Sequence, residues 1–253
     1  MFRVVIPARH ASTRLPGKPL ALLAGMPMVL HVHRLALRAG AAEVIVATDD
    51  DRILDACEAA GADVEMTSER HVSGTDRIAE IAGRRGWSGD DIVVNVQGDE
   101  PLLPPVLIGQ AVNLLIATAG AAISTLAAPI RKEADFLDPN VVKVVTRDDG
   151  IALYFSRAPI PFDRDGASAG AGTHRGARRH LGIYAYRVSA LRALSAAPQA
   201  ALERRERLEQ LRALAVGLSI VVADAIEVPG PGVDTPEDLA RVDALLRGRV
   251  GRE

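Results

Sequence analysis

Three cations stand at short intervals near the start of the chain: Arg9, Arg14 and Lys18, within the stretch Ile6 to Leu20 that reads IPARHASTRLPGKPL. Small and turn-forming residues surround them, among them Ala8, Ala11, Ser12, Thr13, Pro16 and Gly17, so no hydrophobic face is being built. The apolar run Val4-Val5-Ile6 is predicted to be a buried strand that stops at Pro7 and empties into a long basic loop. A loop of that length in a compact domain is usually functional. Guanidinium and ammonium groups on a backbone free to approach a ligand closely suit a polyphosphate. The loop is not a P-loop, because Gly17-Lys18 is followed by Pro19 and no glycine stands at the Walker spacing. No GxGxxG fingerprint occurs either.

Such a loop needs a rigid platform. Pro27 to Ala39 carries Val29, Leu30, His33, Leu35 and Leu37 at helical spacing, with Pro27 suited to a first turn and Gly40 to a stop. Glu43 to Thr48 (EVIVAT) predicts a strand. Asp49 and Asp50 fall where a helix would be capped, with Ile53, Leu54 and Cys57 inward, and Asp63 to Thr67 predicts a third strand. This βαβαβ alternation predicts a parallel sheet with helices on both faces, whose ligands sit outside the carboxyl ends of its strands. In Arg70 to Arg77 (RHVSGTDR), Ser73 or Thr75 predicts a cap for a helix through Ile78 and Ile81, and a cap can also present its N–H groups to a ligand. Asp91 to Gln97 (DIVVNVQ) predicts a buried central strand running into Gly98-Asp99-Glu100-Pro101. Those carboxylates reach the same edge of the sheet, although a bare GDEP is also an ordinary acidic turn.

The later chain departs from this alternation. After a helix over Val106 to Thr118 and a strand over Ala121 to Ala127, two β-rich runs, Asn140 to Thr146 and Ile151 to Ser156, flank Arg147-Asp148-Asp149-Gly150. Asp-Gly between such runs signals a hairpin, so Val141 to Pro161 predicts an antiparallel appendage. Asp163 to Arg179 is a Gly-, Ala- and Ser-rich loop. One helix is predicted over Ala200 to Gly217, with Leu202, Leu208, Leu211 and Leu214 inward and Glu209-Gln210 on its exposed side. Ser219 to Ala223 predicts a strand. Thr235 and Pro236 open the last helix, with Asp234 just before the cap.

At 253 residues the chain can bury one substantial core. A formal net charge of −2 gives no global attraction to nucleic acid or anionic membrane, and few aromatics argue against a base-stacking platform. The single cysteine, Cys57, cannot form an internal disulfide and is expected to be a small buried residue. The opening residues read as a core strand, so no signal-peptide architecture is expected. The weakly apolar run Leu114 to Ile123 is too short to span a bilayer. The histidines show no metal-ligand spacing; His31 and His33, two apart on a helix, do not share a face.

Five stretches, in order along essentially the whole chain, resemble the sugar-activating nucleotidyltransferases in the form carried by the 3-deoxy-manno-octulosonate (Kdo) cytidylyltransferases. They are RHASTRLPGKPL from Arg9, VNVQGDEP from Val94, YFSRAP from Tyr154, HLGIYAYR from His180 and PGPGVDTPEDL from Pro229. His10 stands where an aromatic tyrosine is expected, and Ala185 where a glycine is. The resemblance implies an α/β fold of the nucleotide-diphospho-sugar-transferase type, a Rossmann-like mixed sheet flanked by helices. The whole chain, 1–253, would be one nucleotidyltransferase domain, with a small β-rich dimerisation and sugar-binding insertion at about 136–190. The implied reaction joins CTP and Kdo to give CMP-Kdo and pyrophosphate for lipopolysaccharide synthesis, in a cytoplasmic homodimer without nucleic-acid or membrane partners.

The resemblance also implies roles. Pro7, Ala8, Arg9, Arg14, Lys18, Ser73, Arg77 and Asp99 would bind the nucleotide, and Asp99 and Asp234 would hold Mg²⁺. Gln97, Arg157, His180, Tyr184, Glu209 and Gln210 would bind the sugar, Arg157 through its carboxylate. Arg9, Lys18, Asp99 and Asp234 would carry catalysis. Three alternatives stay open. One is a cytidylyltransferase for a related acid sugar, such as sialic acid or an amino-Kdo. Another is a metal-dependent glycosyltransferase using Asp163-Arg164-Asp165, and the third is a catalytically dead nucleotide-binding module.

Overall fold

The structure, a computed structural model, describes residues 1–11, 15–71, 73–164 and 174–250. Its strands are β1 (Phe2–Ala8), β2 (Leu22–Leu23), β3 (Met26–Pro27), β4 (Glu43–Thr48), β5 (Asp63–Met66), β6 (Ile92–Asn95), β7 (Ile123–Pro129), β8 (Lys143–Thr146), β9 (Ala152–Ser156), β10 (Arg178–Arg187) and β11 (Ile220–Asp224). Its helices are α1 (Met28–Leu37), α2 (Asp51–Ala59), α3 (Gly74–Arg84), α4 (Pro105–Ala117), α5 (Glu133–Leu137), α6 (Val188–Ala196), α7 (Ala201–Glu206), α8 (Gln210–Ala215) and α9 (Pro236–Val250).

One mixed sheet in the order β11-β7-β10-β6-β1-β4-β5 forms the platform. β1 lies parallel to β4 from Arg3 opposite Glu43 to Ala8 opposite Thr48, and parallel to β6 from Phe2 opposite Ile92 to Val5 opposite Asn95. β10 runs antiparallel to both β6 and β7, which makes the sheet mixed. Val4, Ile6 and Ala8 face one layer, built from α1, α2 and α4. Val5 faces the other, where Ile78 and Ile81 of α3, Leu191 of α6 and Phe155 of β9 pack. Both faces of β1 are therefore dry, which is why its sequence is continuously apolar rather than alternating. Each fully buried Val, Ile or Leu there stabilises the fold by roughly 1.5–3 kcal/mol. From β1 the chain winds outward to β4 and β5, and it returns to the other flank of β1 only at β6. The crevice between the ends of β1 and β6 is thus a topological switch point.

Four expectations need correction. β1 does not stop at Pro7 but continues to Ala8. Its ladder with β6 ends at Val5, so beyond that point the strand pairs only with β4 and tolerates a residue lacking an N–H. Pro27 is the N-cap residue of α1 rather than part of its first turn. The helix expected over Ala200 to Gly217 is two short helices, α7 and α8, separated where Arg207 takes a left-handed conformation (φ 53°, ψ 48°). Leu202, expected inward on that helix, is exposed, whereas Leu208 and Leu211 are buried.

The predicted hairpin forms, as β8 and β9, and joins the main sheet through β10. Lys143 on β8 is fully buried. Its ammonium donates to the carbonyls of Asp138 (2.9 Å), Val141 (2.6 Å) and Arg157 (2.7 Å), tying the hairpin's base together. The caps follow sequence logic: Asp50 accepts from Arg52 N (3.0 Å), Ser73 from Asp76 N (3.2 Å), and Thr235 Oγ1 from Asp238 N (3.2 Å). No helix among the described residues is long and apolar enough to cross a membrane.

Candidate active site

A cleft of about 630 Å³ opens at the ends of β1 and β6. Its back wall is Pro7, held closely on two sides. A Cβ on Gly74 would lie 3.0 Å from Pro7 Cγ, and one on Gly98 would lie 3.1 Å from Pro7 O. Glycine at these two positions lets the loop after β6 and the start of α3 close onto β1. The basic loop is tied at its neck, where Gly17 N donates to His10 O (3.3 Å), and it leads into a 3₁₀ turn that begins at Lys18.

Lys18 is the electrostatic centre of the cleft. Its ammonium donates to Asp99 Oδ2 (2.6 Å), Asp234 Oδ1 (3.0 Å) and Val233 O (2.9 Å). Burial pulls its pKa down, but the two carboxylates outweigh that and the net shift is upward. Two carboxylates distant in sequence thus converge on one cation. A pair of carboxylates beside an open cleft is a donor set that Mg²⁺ accepts, with phosphate and water filling its remaining positions. The ammonium is a stand-in for such an ion, so Asp99 and Asp234 fit the metal that the resemblance implies. Among the described residues no group of three or more His, Cys, Asp or Glu forms a cage.

The remaining walls are polar. Arg9 is exposed on the rim, and among the described residues its guanidinium has no partner. Arg14 lies outside the described residues. Arg77 is buried on the floor, where it donates to Thr67 Oγ1 (2.7 Å) and pairs with Asp49. The Ser73 hydroxyl sits between Asp76 Oδ2 (2.9 Å) and Glu209 Oε1 (3.0 Å). Burial raises the Glu209 carboxyl above its ordinary value, against the pull of hydrogen bonds from Thr75 and Ser73. Beside Asp99, burial and the charges of Asp99 and Asp234 push Glu100 up to about 7.

A second cavity, about 240 Å³, adjoins the cleft through Thr75, Asn95, Gln97 and Glu209, which line both. His180, Tyr184 and Gln210 line it too, against an apolar wall that includes Val142, Leu194 and Leu208. The rings form a ladder from β9 along β10, with centroids 5.1 Å apart from Phe155 to His180, 5.2 Å from His180 to Tyr184 and 5.7 Å from Tyr184 to Tyr186. Burial depresses His180 to about 3, so its ring is neutral. Thr125 Oγ1 lies 2.9 Å from His180 Nε2 and 2.7 Å from Ile183 O. The single hydroxyl proton serves the carbonyl, which assigns the imidazole proton to Nε2 and leaves Nδ1 as the ring's acceptor. A third cavity of about 170 Å³ is lined by Gln97, Glu100, Arg179, His180 and Gly182.

The fold therefore gathers Pro7, Ala8, Arg9, Lys18, Ser73, Arg77 and Asp99 with Asp234 around the cleft, and Gln97, His180, Tyr184, Glu209 and Gln210 around the second cavity. Arg157 lines none of these spaces. Its Nε donates to Glu206 O (2.7 Å) and its Nη1 to Pro139 O (2.8 Å). The sequence reading missed Asn95, which is buried with no partner for its Oδ1 among the described residues, and Arg179. A polar residue at the last position of an otherwise apolar buried strand was the available signal for Asn95.

Comparison with known proteins agrees with this geometry. Residues 3–220 match the family model described as Cytidylyltransferase. The chain is 55% identical over 250 residues to the 3-deoxy-manno-octulosonate cytidylyltransferase of Thioalkalivibrio sulfidiphilus, covering 97% of this chain and 99% of that one. It is 52% identical over 252 residues to the protein of the same name from Pseudomonas syringae pv. syringae, covering 98% of each. A solved structure of CMP:2-keto-3-deoxy-manno-octonic acid synthetase complexed with CTP superposes with a TM-score of 0.89 at 41% identity, covering 98% of this chain and 100% of that one. With the family model spanning the strands that build the cleft and relatives matching nearly end to end, the chain belongs to the cytidylyltransferase family.

Proposed function

We propose that this protein transfers the cytidylyl group of CTP to Kdo, giving CMP-Kdo and pyrophosphate. The observation that carries the reading is the pair of spaces sharing Gln97 and Glu209 as a common wall. One space presents cations and carboxylates suited to a triphosphate, and the other presents neutral aromatic and polar groups suited to a sugar. Relatives above 50% identity over nearly the full length bear that activity in their names.

The anomeric hydroxyl gives up its proton to solvent, its oxygen bonds to the α-phosphorus, and the bond from that phosphorus to pyrophosphate breaks in line, pyrophosphate leaving with the electron pair. Pro7, Ala8, Ser73 and Arg77 hold the nucleoside against β1 and α3. Arg9, Arg14 and Lys18 bind the triphosphate and neutralise the departing pyrophosphate. Asp99 and Asp234 would hold Mg²⁺, which supplies polarisation of phosphate oxygens and a lowered pKa for the attacking hydroxyl. Lys18 must leave the two carboxylates before it can serve the phosphates. Gln97, Tyr184, Glu209 and Gln210 orient the sugar, with His180 offering a neutral acceptor at Nδ1. For Arg157 to meet the sugar's carboxylate, its two bonds to backbone carbonyls would have to open. The protein would act in the cytoplasm as a homodimer joined through Val141 to Pro161, activating Kdo for lipopolysaccharide assembly.

The test is pyrophosphate release from each of the four nucleoside triphosphates, with and without Kdo, sialic acid or an amino-Kdo. Release should require CTP and Kdo together. Equal or faster release with another acid sugar would reassign the substrate, and activity only with a nucleotide-sugar donor would replace the reaction class.

A further inference from the structure

Between Arg9 and Lys18 the chain leaves β1, loops out and comes back on itself. The two ends of the loop meet at His10 and Gly17, each next to one of the two cations. Gly17 N donates to His10 O (3.3 Å), and Gly17 is left-handed (φ 69°, ψ 19°). The half-buried His10 ring lies against the same glycine: a Cβ there would be 3.2 Å from Nε2, 3.7 Å from Cε1 and 3.9 Å from Cδ2. A side chain at 17 would therefore press on the ring as well as strain the backbone. Among the described residues the imidazole makes no hydrogen bond, and it lines none of the three cavities. What it offers at this place is a flat surface rather than a donor. The 3₁₀ turn that follows packs beside α2, and Asp50, the N-cap of that helix, lies within electrostatic reach of the ring. Lys18 has to exchange Asp99 and Asp234 for phosphate oxygens, yet its backbone is held on both sides. Lys18 N donates to Leu15 O (3.1 Å), Leu20 N to Gly17 O (2.9 Å) and Ala21 N to Lys18 O (3.1 Å), and Pro19 is buried. Only the side chain has to swing. The contact of His10 with Gly17 ties the backbone beside Arg9 directly to the backbone beside Lys18. Charges that meet a leaving group act at full strength only when their places are fixed beforehand.

We propose that His10 is a positioning residue: its ring and its carbonyl clasp Gly17, and the clasp fixes the spacing of Arg9 and Lys18 across the triphosphate. This rests on the nucleotidyl-transfer reading above. The experiment places His10→Ala and His10→Phe in the wild type and in Lys18→Ala. Each protein is measured for turnover with CTP and Kdo and, separately, for binding of Mg²⁺-pyrophosphate by calorimetry, with a thermal melt as the check on folding. His10→Ala should lower kcat about tenfold and weaken pyrophosphate binding about fivefold, with KM for Kdo within about twofold of the wild type. His10→Phe should bring both back to within about threefold, because the clasp calls for a flat ring and not for an imidazole. In the Lys18→Ala background His10→Ala should change either quantity by less than about twofold, since a spacing has no meaning once one of its ends is gone. Pyrophosphate binding unmoved by His10→Ala, an equal loss in both backgrounds, or a His10→Phe protein as impaired as His10→Ala would each overturn the proposal. Should His10→Ala fail to fold, His10→Ser carries the same comparison. A wild type that binds pyrophosphate but turns over no CTP with Kdo would remove the functional reading, and the binding measurements would then decide the clasp alone. A wild type that binds no pyrophosphate would overturn the clasp.

Discussion

Replacing Lys18 with methionine should push two measurable quantities in opposite directions. The side chain keeps its length and loses its charge, so the loop should hold its shape. The ammonium sits 2.6 Å from Asp99 and 3.0 Å from Asp234, the pair proposed to hold the metal ion. At an effective dielectric constant of about 20, each contact near 3 Å is nominally worth about 5 kcal/mol. The Asp99 and Asp234 side chains are 32% and 48% exposed, so water screens most of that, and pairs of this kind retain about 0.2–1 kcal/mol each. A metal ion entering the wild type must therefore displace contacts worth about 0.4–2 kcal/mol in total. Lys18→Met should bind Mn²⁺ about 2- to 30-fold more tightly than the wild type, read by electron paramagnetic resonance titration without nucleotide. The same variant should lose on the order of 10²-fold in turnover, because no ammonium meets the departing pyrophosphate. Unchanged or weaker Mn²⁺ binding would show that Lys18 does not occupy the metal position, and near-normal turnover would remove it from the phosphate site.

Asp99→Asn and Asp234→Asn should each abolish most activity, and the double variant should be little worse than the worse single one, if both hold one cation as proposed; additive losses in pyrophosphate release would count against that. His180 titrates near 3 in the fold against an ordinary 6.5. Between those values the unfolded chain therefore binds more protons, and stability falls as pH is lowered through the window. His180→Asn should flatten that fall, by at most about 1.4 kcal/mol per pH unit, in urea unfolding at pH 7 and pH 5; an unchanged difference between the two pH values would refute the burial argument. Burial pushes the Cys57 thiol up to about 11, so a thiol reagent at pH 8 should label it only after denaturant is added. Rapid labelling of the native protein would show that α2 opens locally.

Much of the site was legible because its chemistry sits in local sequence. The valine-rich runs of β1 and β6 fix two neighbouring strands buried on both faces, and the residues after each run must reach the same edge. The cap residues Asp50 and Ser73 were readable for the same reason, since each acts within three positions of itself. The features that could not be read depend on contacts distant in sequence. LERRERLEQLRALAVG has strong helix formers and leucines at helical spacing, yet the helix breaks. The carboxylate of Glu206 is held by Ser156 Oγ (2.7 Å) and Arg157 N (2.8 Å), and Glu209 meets Ser73, contacts no local pattern encodes. Asp163 to Arg179 reads as one loop by composition, yet its last two residues, Arg178 and Arg179, open β10, because their partners are on β7, distant in sequence.

The left-handed residue Arg207 sets a limit on engineering this protein for robustness. A designer seeking heat resistance would see two short helices with a single strained position between them, and would fuse them with strong helix formers. Doing so would rotate Glu209 and Gln210 away from the second cavity, so the stabilised product would be a well-folded protein without the pocket proposed to hold the sugar. Glycine at 207 accepts the φ of 53° without strain and offers a route to stability that leaves the pocket's geometry alone. Helix fusion and turnover thus pull in opposite directions at this one bend, whereas a change that keeps the left-handed backbone does not set them against each other.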